Sequence, residues 1–175
     1  LLSDGTMTRL LEGICLAPIG FELTEQFEIA LSDQDAKSLS LPKGEKAIKR
    51  QGWLTQGDRS ENPTPQRPVG IATRLVHVMS ILPISILTAK LHHEILLGKK
   101  PLGQIIHEQR YLFRRDDIEI GQFFLPDIAK GFGLTSNEPL WARRYQLALS
   151  NEISGLLFEV ISPNIAAFTH NPSPV

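Results

Sequence analysis

Cysteine is nearly missing from this chain. Cys15 is the only one in 175 residues, so no intramolecular disulfide framework holds the fold. Its place in the apolar run GICLAPI is that of a small buried side chain, which fits a reducing, cytoplasmic setting. An excess of one charge is missing too. The 18 Lys and Arg stand against 19 Asp and Glu, for a formal net charge of -1, which excludes a global basic field for holding nucleic acid or an anionic membrane. Any anionic partner has to be met by local groups. No apolar run reaches the roughly 20 residues that a membrane helix needs. The longest, VMSILPISILTAKL, is broken by Pro83 and two serines and reads as core strand or loop. No signal-peptide pattern is visible.

Several recognisable motifs fail as well. GKKPLG suggests a phosphate loop, but Lys99 is followed by Lys100 where Ser or Thr is required. His92, His93 and Glu94 resemble half of a zinc-protease helix, yet the second histidine position holds Leu97, so a polar helix face is the simpler reading. His77 lies among apolar strand residues and reads as a satisfied core or edge histidine. With five scattered histidines and one cysteine, no metal site is expected. Neither GxSxG nor GxGxxG occurs, so no serine-hydrolase elbow or dinucleotide fingerprint is present.

What remains is the composition of one ordinary folded domain over residues 1–175, with 42% hydrophobic and 21% charged residues. Met7, Leu10 and Leu11, at i, i+3 and i+4 behind Ser3, Asp4 and Gly5, predict a helix from Thr6 to Ile14. FELTEQFEIAL predicts a strand with Phe21, Leu23 and Glu25 on one side; KAIKRQGWL predicts a second with Ile48, Arg50, Gly52 and Leu54 on one face. LPKGEK between them is a turn. The Pro-rich polar stretch QGDRSENPTPQRPVG is a loop, and IATRLVHVMSIL is the next strand, giving a long-looped antiparallel hairpin. Lys90 to Lys100 is helical, and Pro101 opens another helix at its first position. RRDDIEIGQFFLPDIAKGFGLTSNEPL shows no clear period. WARRYQLALS and ISGLLFEVIS form a hairpin turning at Asn151 and Glu152. Clustered strands and hairpins predict an α+β fold with a single antiparallel β-sheet flanked by helices.

Two charges break the strand patterns. On ISGLLFEVIS, Leu157, Glu159 and Ile161 point one way while Leu156, Phe158 and Val160 point the other, so Glu159 has apolar neighbours whichever face is buried. Burial disfavours a carboxylate's charged form unless a cation or hydrogen-bond donors compensate. Arg50 is a candidate cation, with Gly52 beside it leaving room for a ligand. The alternative is that both residues stand on unrelated solvent-facing surfaces, with Met7 and Leu102 as plain core. If the elements converge, two helix starts, an arginine and a glutamate suit a small, mostly apolar organic acid.

These residues also resemble the chorismate pyruvate-lyases that make 4-hydroxybenzoate. The similar segments are LLSDGTMTRLLE, LPKGEKAIKR, GKKPLGQ, RRDDIEIG, WARRYQLALS and LLFEVISP, in order from Leu1 to Pro163. The resemblance implies a chorismate lyase-like fold that encloses its ligand between sheet and helices, and conversion of chorismate to 4-hydroxybenzoate and pyruvate, a quinone-precursor reaction. It assigns catalysis to Arg50 and Glu159, and substrate binding to Met7, Arg50, Leu102 and Glu159, with Met7 and Leu102 acting through backbone groups. A different register would use Arg74 in place of Arg50; the offset from LPK favours Arg50. The implied partners are chorismate and 4-hydroxybenzoate alone, with no nucleic acid, membrane, metal or cofactor, in a cytoplasmic monomer. The chain departs from the family pattern in its longer GDRSENPTPQRPVG loop and in the extra segment FFLPDIAKGFGLTSNE. A competing class is the non-catalytic sensor domain of bacterial transcription regulators, which has the same fold and binds small carboxylates behind a helix-turn-helix.

Overall fold

The helix expected near the start of the chain forms. A computed structural model, which describes residues 7–56, 73–135, 138–150 and 152–166, places α1 at Met7–Cys15. Met7 and Leu11 point inward, whereas Leu10 is exposed. The chain continues through β1 (Ile19–Ala30), α2 (Asp33–Leu39), β2 (Lys46–Gln56), β3 (Thr73–Pro83), a 3-10 turn (Ile84–Ile86), α3 (Ala89–Leu97) and α4 (Leu102–Glu108). It ends with β4 (Phe113–Phe123), α5 (Pro126–Gly131), β5 (Leu140–Leu149), β6 (Glu152–Ile161) and a second 3-10 turn (Pro163–Ile165). The six strands make one antiparallel sheet in the order β1-β2-β3-β6-β5-β4, the α+β architecture the strand clustering predicts.

Local chemistry sets the element ends. The Thr88 hydroxyl accepts from the Leu91 N–H at 3.2 Å and starts α3, and Gly98, with φ of 68°, stops it short of the predicted Lys100. Pro101 precedes α4 as its cap and is not its first helical residue. VMSILPISILTAKL is therefore three things: strand to Pro83, a 3-10 turn, then a helix from Ala89. Periodicity predicts no element at α2, which is started instead by Ser32, whose hydroxyl accepts from the Asp35 N–H at 3.1 Å. The region without clear period becomes β4 and α5. Its alternation is broken by a bulge between Asp116 and Glu119, with Asp117 at φ of 49°.

A second bulge corrects the reading of β1. Leu23 pairs with Gly52 but Glu25 pairs with Gln51, so Glu25 leaves the face of Phe21 and Leu23 and bonds the Gln51 side chain. Of the predicted hairpin turn, Asn151 lies outside the described residues and Glu152 already belongs to β6. The long loop at 57–72 also lies outside them.

Both faces of the sheet are covered. On one face, α1 packs Met7 and Leu11 on Ile19, Leu54 and Val76, while α3 and α4 pack Leu91, Ile95, Ile105 and Ile106 on Ile48, Leu82 and Leu147. On the other, α2 sets Ala36 and Leu39 against Ala47, Ile81 and Leu156, and α5 sets Ala129 and Phe132 against Trp53, Ala142 and Val160. This explains why β6 is apolar on both sides. Among the described residues no helix is long and apolar enough to cross a membrane.

Leu11 is 1% exposed and anchors α1 to the sheet. Leu11→Ala is expected to lower unfolding stability by about 2–5 kcal/mol, read as a lower urea midpoint at unchanged slope.

Candidate functional site

Between the two helix-covered halves of the first face lies a mostly apolar pocket. Met7, Arg50, Leu102 and Glu159, the four residues singled out from sequence, all line it. All four are buried, so neither charge stands on a solvent-facing strand surface. Arg50 and Glu159 lie two strands apart, since Arg50 pairs with Ser80 on β3, and Ser80 with Leu157 on β6. That is a lateral separation of about 10 Å between backbones.

Arg50 is 3% exposed. Its Nη2 donates to the Lys100 carbonyl in the α3–α4 connection, and its guanidinium carbon stands 4.7 Å from the Phe21 ring centroid. The ring reaches that position because residue 52 is glycine: a Cβ there would sit 2.9 Å from two Phe21 ring carbons. The space expected at Gly52 for a ligand is thus occupied by Phe21, which becomes the floor under Arg50. Among the described residues no carboxylate pairs with Arg50, its Nε is buried without a hydrogen-bond partner, and burial pushes its pKa down to about 10. A buried guanidinium lacking an acid is incompletely compensated for its lost hydration.

Glu159 is 4% exposed, and its surroundings are not apolar as the strand pattern predicts. Arg143, directly opposite on β5, donates from Nε to Oε2, and the Tyr145 hydroxyl donates to Oε1 at 3.1 Å. Burial, together with the Glu159 charge, pushes the Tyr145 pKa up, which keeps that hydroxyl a donor. Each carboxylate oxygen retains acceptor capacity toward the pocket. Sequence reasoning did not single out Arg143, Tyr145 or Arg115, another lining residue. The signal was present: in WARRYQLAL, Arg143, Tyr145 and Leu147 share the face that pairs with Leu157 and Glu159.

The helix starts frame the pocket. Met7 begins α1 and Leu102 begins α4, and both side chains also belong to the flanking cores. In α4 the first turn closes with the Gln104 and Ile105 N–H groups donating to the Pro101 carbonyl, so the Leu102 and Gly103 N–H groups lie ahead of the helical ladder beside the pocket.

Arg74 is elsewhere. It meets Glu22 (Nη2 to Oε1 2.8 Å) and the Trp53 ring at 4.5 Å, and donates to the carbonyl of Gly131, the last residue of α5. This is the opposite face of the sheet, where Trp53 also meets His77 edge-on at 4.7 Å. His77 is buried, but it is not the fully satisfied histidine expected, because Nδ1 has no hydrogen-bond partner among the described residues. Part of the extra segment, α5, covers this back face and not the pocket. Cys15 is partly exposed. Among the described residues no group of three or more His, Cys, Asp or Glu is placed to hold a metal ion.

A six-stranded antiparallel sheet that carries a mostly apolar pocket with a buried arginine in its wall is the architecture of a small-molecule-binding domain. Solved structures share the fold: PhnF from Mycobacterium smegmatis at 13% identity and TM-score 0.70, covering 93% of this chain and 66% of that one; the effector domain of PhnF from the same organism at 12% and 0.67, covering 93% and 91%; and a GntR-family transcriptional regulator from Bacillus cereus at 12% and 0.59, covering 90% and 97%. At these identities the likeness is one of fold. A sequence search of curated proteins returned no match. The chain belongs to the family of Rv2949c-like chorismate pyruvate-lyases, whose model matches residues 1–169.

The back-face histidine gives the fold a pH dependence. Burial, and secondarily the Arg74 charge, push the His77 pKa from 6.5 down to about 4. The unfolded chain takes up this proton first as pH falls, so stability is full above about 6.5 and is lost toward 4, by up to about 3 kcal/mol. Urea midpoints measured between pH 7 and 4 should fall more steeply for the native protein than for His77→Gln.

Proposed function

We propose that the protein is a chorismate pyruvate-lyase. The observation that carries this is the pairing, within one pocket, of a buried guanidinium short of an acid with a buried carboxylate already held by two donors. Family membership supplies the reaction class.

Chorismate carries a ring carboxylate at C1, an enolpyruvyl ether at C3 and a hydroxyl at C4. In the reaction the C3–O bond breaks and its electron pair leaves with the enolpyruvyl oxygen. The C4–H electron pair becomes the new ring double bond, and the C4 proton ends on the methylene carbon of pyruvate. Atoms and electrons balance with no redox partner. Arg50 binds the ring carboxylate with its orphan Nε, assisted by N–H groups at the starts of α1 and α4. Glu159 accepts from the C4 hydroxyl and fixes the ring so that the C4–H and C3–O bonds are aligned for elimination. Positioning in a pocket with few waters supplies the acceleration.

Incubation with chorismate should give 4-hydroxybenzoate, followed by its ultraviolet absorbance, together with equimolar pyruvate. Arg50→Ala should lower kcat/KM about 100-fold or more, as removing one partner of a buried charged hydrogen bond costs about 2–5 kcal/mol. Glu159→Gln should lower kcat about 100-fold while the chain remains folded by circular dichroism. Near-native turnover in both variants would remove the assignment. The likeness to a GntR-family regulator favours a second reading, a sensor that binds a small acid without converting it. Binding of chorismate with no product would select that reading.

A further inference from the structure

We propose that Arg115 is the second anion-binding residue of this pocket and takes the enolpyruvyl carboxylate, the group that departs as pyruvate. This rests on the lyase reading and assigns the half of the substrate that Arg50 and Glu159 do not reach.

Three observations place it. Arg115, on β4, lines the pocket, where the charged side chains are Arg50, Arg115 and Glu159. The one acid among them already meets Arg143 and Tyr145. The Arg115 guanidinium carbon also stands 5.2 Å from the Phe113 ring centroid and 5.4 Å from that of Tyr145. These two cation–ring contacts restrict where the guanidinium can go, and its planar fork is one that a carboxylate accepts in two bonds.

The third observation is the order across the sheet. Starting from Arg50 on β2, the pairings pass through Ser80 on β3, Leu157 on β6 and Tyr145 on β5, and Leu147 of β5 pairs with Arg115 on β4. Arg115 therefore lies beyond Glu159 as seen from Arg50. In chorismate the ring carboxylate and the C4 hydroxyl are at opposite ends of the ring, and the C3 ether is the neighbour of C4. With the carboxylate on Arg50 and the hydroxyl on Glu159, the ether leaves the ring at the Glu159 end. The cation lining that end is Arg115.

This arrangement separates substrate from product. Chorismate, a dianion, meets both arginines; 4-hydroxybenzoate, which has lost the second carboxylate, meets only Arg50 and Glu159. Arg115 should consequently govern affinity for chorismate and leave affinity for 4-hydroxybenzoate alone, whereas Arg50 governs both. A residue that merely props up Tyr145 and Glu159 would alter both affinities together.

The test uses the full chain, native and with Arg115→Gln or Arg115→Lys. Steady-state turnover gives the chorismate KM, and isothermal titration gives the dissociation constant of 4-hydroxybenzoate. Arg115→Gln should raise the chorismate KM by about tenfold or more, the loss expected for one charge-assisted contact. Its 4-hydroxybenzoate affinity should stay within about twofold of native, which also shows that the pocket is folded, and Arg115→Lys should recover most of the KM. A chorismate KM unchanged in Arg115→Gln overturns the proposal, as does a parallel loss of 4-hydroxybenzoate affinity. If the native chain makes no 4-hydroxybenzoate, the lyase reading fails by itself. Chorismate titration then decides the arginine: binding weakened only for chorismate supports the second-anion role, and equal binding in native and Arg115→Gln overturns it.

Discussion

Burying a guanidinium without a carboxylate to meet it is the constraint on which the rest of this structure turns. Arg50 sits in the middle of the sheet, at 3% exposure, on a strand covered from both sides. Bulk water is largely excluded from it, and among the described residues its contacts are the Lys100 carbonyl and the face of Phe21. Both contacts are partial compensation. A carbonyl accepts one of five N–H donors, and a ring face contributes on the order of 0.5–2 kcal/mol. The glycine at 52, which admits the Phe21 ring, and the connection between α3 and α4, which supplies the Lys100 carbonyl, both meet this one side chain.

A comparison inside the molecule sharpens the point. Arg50 and Arg74 stand on the two strands of one hairpin, on opposite faces, and both lie over aromatic rings. Arg74 is neutralised by Glu22 in a two-point pair on the back face, so its structural needs are met. Arg50 is not neutralised by any described residue, and its pKa is pushed down by burial. Glu159 shows the complementary solution, a buried carboxylate satisfied by Arg143 and Tyr145 yet facing the pocket. Among the described residues one charge has no opposite partner and the other is held by two donors, a difference on which the roles proposed for Arg50 and Glu159 rest.

Much of this was legible in the residues. The helix at Met7, the two hairpins and the antiparallel sheet follow from alternation; Arg50 and Glu159 stand out as charges where apolar side chains belong, but the strand pattern alone leaves them on unrelated surfaces, and the family resemblance is what puts them in one site. Alternation failed at Glu25 and across Asp116–Glu119, because a bulge inserts a residue and flips every later side chain, and nothing in composition marks where it falls. The short helix α2 was hidden because it depends on a capping serine more than on an apolar stripe. The partners of Glu159 were hidden for another reason. Cross-strand neighbours depend on register, so Arg143 could be read as lying on the Glu159 face of β6 only once the hairpin pairing was fixed. Gly52 misled in a useful way: it does create room, but for Phe21.

The fold is shared with a regulator of transcription, so the difference between sensing an acid and cleaving one has to lie in how pocket contacts are distributed. Contacts to the ring carboxylate and the C4 oxygen are made equally by substrate and product. They are uniform binding, which fills the site without lowering the barrier and slows departure of the product. A sensor needs only these. A lyase needs, in addition, a contact that belongs to the leaving fragment and disappears when that fragment goes. The far wall of this pocket, where β4 brings Arg115 beside Tyr145, is where such a contact can stand, and bond cleavage would then itself weaken the hold on what remains. On this reasoning catalysis on this fold requires a second cationic pole across the sheet from the first, and one pole with a hydroxyl acceptor makes only a receptor.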